Sequence, residues 1–497
     1  MKSGVLKGAE PSLLDTFVTK DQQGWLLGLV GRSLPFADAV SADLPLGRLL
    51  RLSLFQVSVG VAAALLVGTL NRVMIVELGV AAWLVALMVA LPLLVAPFRA
   101  FVGFRSDTHA SALGWRRVPY LWIGTLLQFG GLAIMPFALL VLTGDGQLGM
   151  AWLGHLCAGL AFLLVGAGMQ TTQTAGLALA TDLSTEATRP RVVALMYVML
   201  LLGMVGGGFV CAALLSDFSD KRLVQVVQGA AVLSALLNIA AVWKQEPRGN
   251  ARRKRGTPAP PFLPRWRQFI SQPKARRFLW ALGLGTAAFN MQDIILEPYG
   301  GEILGLSVSA TSMLTALMAG GSLVAFALSA RLLARGADPI RVAAAGALIG
   351  LPAFSAVVFA APLEAAWLFR MGTVMIGFGA GLFAVGTLTA AMSLEDRDSV
   401  GLALGAWGAV QATAAGLAIA GGGALRDIVG GMAQHGLFGV ALTTPVTGYS
   451  AVYHLEMFML FVALVALGPL VRRNSRPVAE ARVYHPTNRF GLADLPG

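Results

Sequence analysis

The stretch LNRVMIVE, Leu70–Glu77, returns later in the chain as FNMQDIILE, Phe289–Glu297, with one residue inserted. Both copies place polar and charged side chains within a long apolar run. Two further pairs keep the same order. AWLGH at Ala151–His155 matches AWLFR at Ala366–Arg370, and GAG at Gly166–Gly168 matches GAG at Gly379–Gly381. The chain therefore reads as two copies of one unit, with the first apolar run set against the seventh and the fourth against the tenth.

Composition decides the solvent around those runs. Hydrophobic residues make up 56% of the 497 and charged residues 12%, against about 25% charged in soluble domains. Mean hydropathy is +0.73. So few polar side chains cannot cover a water-soluble surface, which points to an integral membrane protein. The apolar runs are too long for barrel strands and fit helices. Twelve spans are predicted at 52–74, 82–104, 118–142, 148–180, 191–215, 223–243, 278–297, 308–331, 341–362, 364–393, 400–424 and 452–471. Each suffices for a hydrocarbon core of about 30 Å at about 1.5 Å per residue. The fold class is thus an all-α membrane protein of two six-helix halves. Cys157 and Cys211 lie inside apolar runs and read as small core residues rather than a disulfide framework. No cleavable signal peptide is visible before the first long run.

The net charge of +12 suits membrane topology better than nucleic acid, because the basic residues cluster in alternate loops. Arg48, Arg51, Arg105, Arg116, Arg117, Arg189, Arg191, Arg331, Arg335, Arg472, Arg473 and Arg476 share one side with the RRKR run at Arg252–Arg255. The other side is nearly free of basic residues apart from Lys221, Arg222 and Arg426. The arginine-rich side is expected to be cytoplasmic, with both termini on it. The resulting parts are an N-terminal segment over 1–48, a first half over 49–243, a basic Pro-containing linker over 244–277, a second half over 278–471 and a tail over 472–497.

Polar groups inside the spans are costly, at least about 2.5–3.5 kcal/mol for a charge, so each needs a partner or a cavity. Asp293 and Glu297 are spaced i,i+4, on one face of a continuous helix. As neighbouring like charges they require a cation or a proton. Arg72 and Arg370 are the cations at a similar depth, and at least one Arg–carboxylate contact is expected among these four residues. Asn71, Glu77, Asn290 and Gln292 lie at the same level, and Pro298 is expected to end or kink the helix. Two readings stay open for this group: a structural closure of the outer end, or a polar site for substrate or protons. His155 is either a satisfied interior histidine or an axial ligand to a pigment magnesium. His454 and Glu456 invite the same comparison. Gln170 and Gln173, within MQTTQT at Met169–Thr174, fit interhelical hydrogen bonds first and cavity lining second. No phosphate-binding loop, HExxH or Ser–His–Asp pattern is present, so an enzyme is not expected.

Two six-helix halves in parallel repeat resemble the major facilitator superfamily. GFRSDTHASALGWRR at Gly103–Arg117 is similar to that superfamily's conformational loop, with Gly103, Asp107, Gly114, Arg116 and Arg117 in the signature roles and a longer spacing before the second glycine. The resemblance implies that spans one, four, seven and ten line a central cavity. A narrower likeness lies in NRVMIVELGVAAWLVALMVALPLLVAPFRAFVGFRSDTHASALGWRRVPYLWIG, AGLALATDLSTEATRPRVVALMYVMLLLGM and MQDIILEPYGGEILGL. These blocks resemble the bacteriochlorophyll delivery family, the PucC-like and LhaA-like light-harvesting assembly proteins. That resemblance implies bacteriochlorophyll or a precursor as cargo. The implied partners are antenna polypeptides, the lipid bilayer and pigment-synthesis enzymes, in a bacterial photosynthetic membrane. A proton-coupled transporter of a small solute and a pigment-free antenna scaffold are the competing readings.

Overall fold

A computed structural model describes residues 44–94, 115, 117–142, 151–185, 188–246, 267, 270–393 and 400–471. Over these residues the chain is helical. The first half contains α1 (Leu46–Ala63, continuing in wider turns to Glu77), α2 (Ala82–Leu94), α3 (Val118–Leu142), α4 (Ala151–Leu183), α5 (Arg189–Leu214) and α6 (Asp220–Val242). The second contains α7 (Pro273–Asn290), α8 (Val308–Ala334), α9 (Pro339–Ala360), α10 (Ala366–Ser393), α11 (Val400–Gln434) and α12 (Val446–Leu467). Among the described residues, ten of these runs are long and apolar enough to cross a membrane. The other two are α2, described only as far as Leu94, and α7, which is interrupted at Met291.

The halves repeat one packing pattern. In the first, α3 pairs with α4, α1 with α5 and α6, and α3 with α6. In the second, α9 pairs with α10, α7 with α11 and α12, and α9 with α12. The halves meet through α2 against α11 and α5 against α8, which exchange under the pseudo-twofold relation. Helix association in lipid depends on close van der Waals packing, so glycines recur at the crossings. Gly377 of α10 would place a Cβ 1.9 Å from the Met318 carbonyl oxygen of α8. Gly321 of α8 would place one 2.2 Å from the Val374 carbonyl oxygen of α10.

The repeated stretches both leave the α-helical path, in opposite senses. From Ala64, α1 widens into i→i+5 turns that run through Leu70 and again over Val73–Glu77. After Asn290, α7 tightens into one 3-10 turn, Met291–Ile294, followed by the short helix Leu296–Glu302. Sequence placed the break at or after Pro298, whereas the helix breaks before it. In a continuous helix the Pro298 ring would collide with the Ile294 carbonyl, while in the first turn of a new helix proline is tolerated. Both stretches then close alike. Gly79 and Gly305 take left-handed φ angles of 62° and 63°, and the next residue's N–H bonds a carbonyl six residues back, Val80 to Met74 at 2.8 Å and Leu306 to Gly300 at 2.9 Å. LGV at Leu78–Val80 thus corresponds to LGL at Leu304–Leu306, and Pro298–Ile303 is an insertion peculiar to the second half.

Candidate functional site

The end of the molecule poor in arginine is where the halves lock together. Four segments converge there: the widened end of α1, the broken end of α7, and the starts of α2 and α8. The Asn71 side chain donates to the Asp293 carbonyl at 2.9 Å. Thr69 and Ser312 share a hydrogen bond of 2.9 Å between hydroxyls. Arg72, 4% exposed, pairs with the Glu77 carboxylate and donates to the Leu306 carbonyl at 3.2 Å. Ser309 donates to the Ala212 carbonyl at 2.6 Å, and the Trp83 N–H donates to the Asp427 carboxylate at 2.7 Å. Each of these except the Arg72–Glu77 pair joins one half to the other.

The carboxylates sit within this closure. Glu297 is 4% exposed, and one of its oxygens accepts from the Thr315 hydroxyl of α8. Its other oxygen has no hydrogen-bond partner among the described residues. Gly68 makes the approach possible, because a Cβ there would stand 2.3 Å from the Thr315 hydroxyl and 2.8 Å from the carboxylate. Gly301 does the same for Arg72, whose Nε would lie 2.9 Å from an added Cβ. Asp293 is half-buried and accepts from the Gln292 amide. Replacing Thr315 by Val leaves a buried carboxylate oxygen without its donor. The expected cost is about 1–3 kcal/mol, read as a lower melting temperature, with Thr315→Ser retaining most of the wild-type value.

The Arg–carboxylate contact expected among Arg72, Arg370, Asp293 and Glu297 is not formed. Arg72 instead satisfies its own helix through Glu77, because the wide turns bring a side chain five residues away onto the same side. Arg370 is exposed in the first turn of α10, with no ion pair among the described residues. The i,i+4 relation of Asp293 and Glu297 is also interrupted, since the 3-10 turn separates their helices. Asn290 turns back to the Thr286 carbonyl at 2.7 Å. Gln173 bonds Gln56 of α1 at 3.3 Å, whereas the Gln170 side-chain oxygen has no partner among the described residues. His155 is half-buried on α4 and makes no hydrogen bond among the described residues. Gly103, Asp107, Gly114 and Arg116 lie outside the described residues. Arg117 is buried and pairs with Asp182 at 3.1 Å, and its backbone N–H donates to the Glu246 carboxylate at 3.0 Å.

A second polar cluster at the same end was not predicted as a site. Arg426 of α11 bonds Glu302 at 2.6 Å and Asp427 at 2.8 Å, and its guanidinium lies 4.7 Å from the centre of the Tyr449 ring. The Tyr449 hydroxyl donates to Glu302 at 2.6 Å. Glu302 belongs to the Pro298–Ile303 insertion. The signal available in the sequence was Arg426 itself, one of the few basic residues on the side nearly free of them.

Comparison with known proteins agrees with this architecture. A solved bacterial homolog of the human lysosomal transporter Spinster, inward-facing and unoccupied, superimposes with a TM-score of 0.61 over 85% of this chain and 95% of that one, at 16% identity. The likeness establishes the major facilitator fold. Protein PucC of Rhodovulum sulfidophilum is 58% identical over 389 residues, 77% of this chain and 86% of the relative. An uncharacterized protein in the puhA-bchM intergenic region of Rhodobacter capsulatus is 53% identical over 469 residues, 93% of this chain and 97% of the relative. The family model described as PUCC protein matches residues 69–475, from the widened end of α1 past the end of α12. Both locked segments fall inside that match, and the chain belongs to the PUCC protein family.

Proposed function

We propose that this protein is an assembly factor for bacterial light-harvesting antenna complexes, and that it binds bacteriochlorophyll or a precursor and delivers it to nascent antenna polypeptides. Membership of the PUCC protein family across residues 69–475 carries this reading. The geometry favours a large apolar cargo over a small polar one. Asn71 and Arg72 are engaged in holding the halves together, a structural use that competes with binding a solute. His155 offers an imidazole without a hydrogen-bond partner among the described residues, a suitable axial ligand for a pigment magnesium. One turn along α4, Gly159 leaves open space, with only Met88 as near as 4.0 Å to an added Cβ. Trp152, Leu156 and Leu160 beside them are exposed, an apolar margin for a macrocycle and its tail. The arginine-rich end faces the cytoplasm of the photosynthetic membrane in this reading, where pigment-synthesis enzymes and antenna polypeptides are accessible.

Protein purified in mild detergent from a pigment-making host is expected to carry a bacteriochlorin absorption band. His155→Ala is expected to lower the pigment-to-protein ratio several-fold without changing the melting temperature of the pigment-free protein. A colourless wild-type preparation that still captures antenna polypeptides would favour the pigment-free scaffold.

The fold itself supports a second reading, a proton-coupled transporter of a small solute, because its structural neighbour is a transporter homolog. Solute-dependent proton flux in pigment-free liposomes, lost in Asp293→Asn, would select it.

A further inference from the structure

Glu456 lies near the middle of α12, about 15 Å from either end of that helix at about 1.5 Å per residue. It is 0% exposed, and neither carboxylate oxygen meets a donor at full hydrogen-bond geometry among the described residues, the Gln292 backbone N–H approaching it from the 3-10 turn. α12 packs there against the 3-10 turn Met291–Ile294 of the interrupted α7, which brings Glu456 within electrostatic reach of Asp293. Two further buried polar atoms have no hydrogen-bond partner among the described residues: the Tyr453 hydroxyl, one turn from Glu456, and the side-chain oxygen of Gln292, whose amide donates to Asp293. Tyr453 is 0% exposed and Gln292 is 1% exposed.

Among the described residues, no cation pairs with these carboxyls. Arg72 is engaged with Glu77 and the Leu306 carbonyl. Arg426, on α11, is engaged with Glu302, Asp427 and Tyr449, about two helical turns from Glu456. On α7, Arg277 reaches the Ala466 carbonyl at the opposite end of α12, at 3.0 Å. The charged side chain of α9, Arg341, lies in that helix's first turn, while its middle presents Phe354 and Val357. Tyr299 packs edge-on to Tyr449 and Tyr453, with ring centroids 5.4 and 5.6 Å apart. Its hydroxyl donates to the Val357 carbonyl at 3.3 Å. Glu297, the third carboxyl, is bonded to Thr315.

An ionised carboxylate in such a place costs several kcal/mol, and two adjacent ones cost more. A proton removes both penalties and creates the O–H donor that the unpartnered oxygens lack.

We propose that the buried Glu456 and the half-buried Asp293 form a proton-binding site between α12 and the 3-10 turn of α7, the two carboxyls taking up solvent protons to become carboxylic acids. Tyr449, Tyr453 and Glu456, at i, i+4 and i+7, line one face of α12 from the Arg426–Glu302 cluster down to the site. This proposal does not rest on the antenna reading.

Infrared spectroscopy of the purified full-length protein tests it. The wild type should show the C=O stretch of a protonated carboxyl at neutral pH, diminishing as the pH is raised. Glu456→Gln should remove part of that band and leave the melting temperature within about 3 °C of wild type, because the amide imitates the protonated acid. Asp293→Asn should shift what remains. Absence of the band in the wild type, an unchanged band in Glu456→Gln, or failure of Glu456→Gln to fold would each overturn the proposal.

Discussion

Gly377→Val is expected to abolish accumulation of folded protein. The added Cβ would stand 1.9 Å from the Met318 carbonyl oxygen, 2.7 Å from its carbon and 2.9 Å from its Cα. All three are backbone atoms of α8, so no rotamer change relieves the clash. The Ser322 hydroxyl also bonds the Gly377 carbonyl at 2.9 Å, so separating the helices breaks a hydrogen bond as well. Overpacking costs about 1–3 kcal/mol when side chains can give way. Here the helices must part, and a loss of at least about 3 kcal/mol is a large share of a domain's typical 5–15 kcal/mol. Size-exclusion profiles of the solubilised protein should show the folded peak lost. Gly320→Ala supplies the control, because a Cβ there meets nothing within 4 Å. It should leave the peak unchanged. A normal peak for Gly377→Val would show that α8 and α10 do not pack as described.

Arg426→Ala is expected to open the arginine-poor end. One guanidinium holds Glu302, Asp427 and the Tyr449 ring, and Asp427 in turn receives the Trp83 N–H across the boundary between the halves. The Arg426 side chain is 20% exposed, and those of Glu302 and Asp427 are 30% and 18% exposed. That places the cluster between a surface pair, worth about 0–1 kcal/mol, and a buried one, whose disruption costs about 3–5 kcal/mol. A loss of about 2 kcal/mol corresponds to roughly a 30-fold rise in the open population. Cys211 is a native reporter, since it is 4% exposed in α5 next to Ala212, which Ser309 bonds across the same boundary. In a Cys157→Ser background, a membrane-permeant maleimide should label Cys211 at least about tenfold faster in Arg426→Ala than with Arg426 intact. Arg426→Lys should fall between them, because lysine keeps the charge but cannot fork onto two carboxylates. Equal labelling rates would restrict Arg426 to a local role.

Some of this arrangement was legible beforehand. The pairing of Leu70–Glu77 with Phe289–Glu297 correctly matched α1 with α7, because a repeat preserves its order whatever the packing. Asn71 and Arg72 were placed at the level of Asp293 by counting residues along helices of known rise. Arg370 was misjudged as a partner because depth along a helix does not fix the direction of a side chain around it. Arg72 found Glu77 within its own helix because wide turns replaced the regular ones, and no spacing rule anticipates a run of such turns. Thr315 and Gly68 gave no signal at all, since a lone threonine or glycine in an apolar run is commonplace. Glu456 was weighed only beside His454, with no site assigned to it, because its neighbour Asp293 belongs to another helix.

By itself, the sequence determined that the chain is an all-α membrane protein of two repeated six-helix halves. Apolar length, loop charge and internal repetition are properties of the chain alone, and the bilayer enforces them directly. It also carried the family, through blocks long enough to be specific. The tertiary structure decided which polar groups meet. It paired Arg72 with Glu77 rather than with Asp293 or Glu297, gave Arg426 to Glu302 and Asp427, and set Glu456 near Asp293 with no ion pair among the described residues. Those outcomes depend on helix rotation, on the break before Pro298 and on glycine-dependent close approach. They are fixed only when the whole bundle packs, because in lipid each buried polar group must be satisfied by whatever the neighbouring helices present.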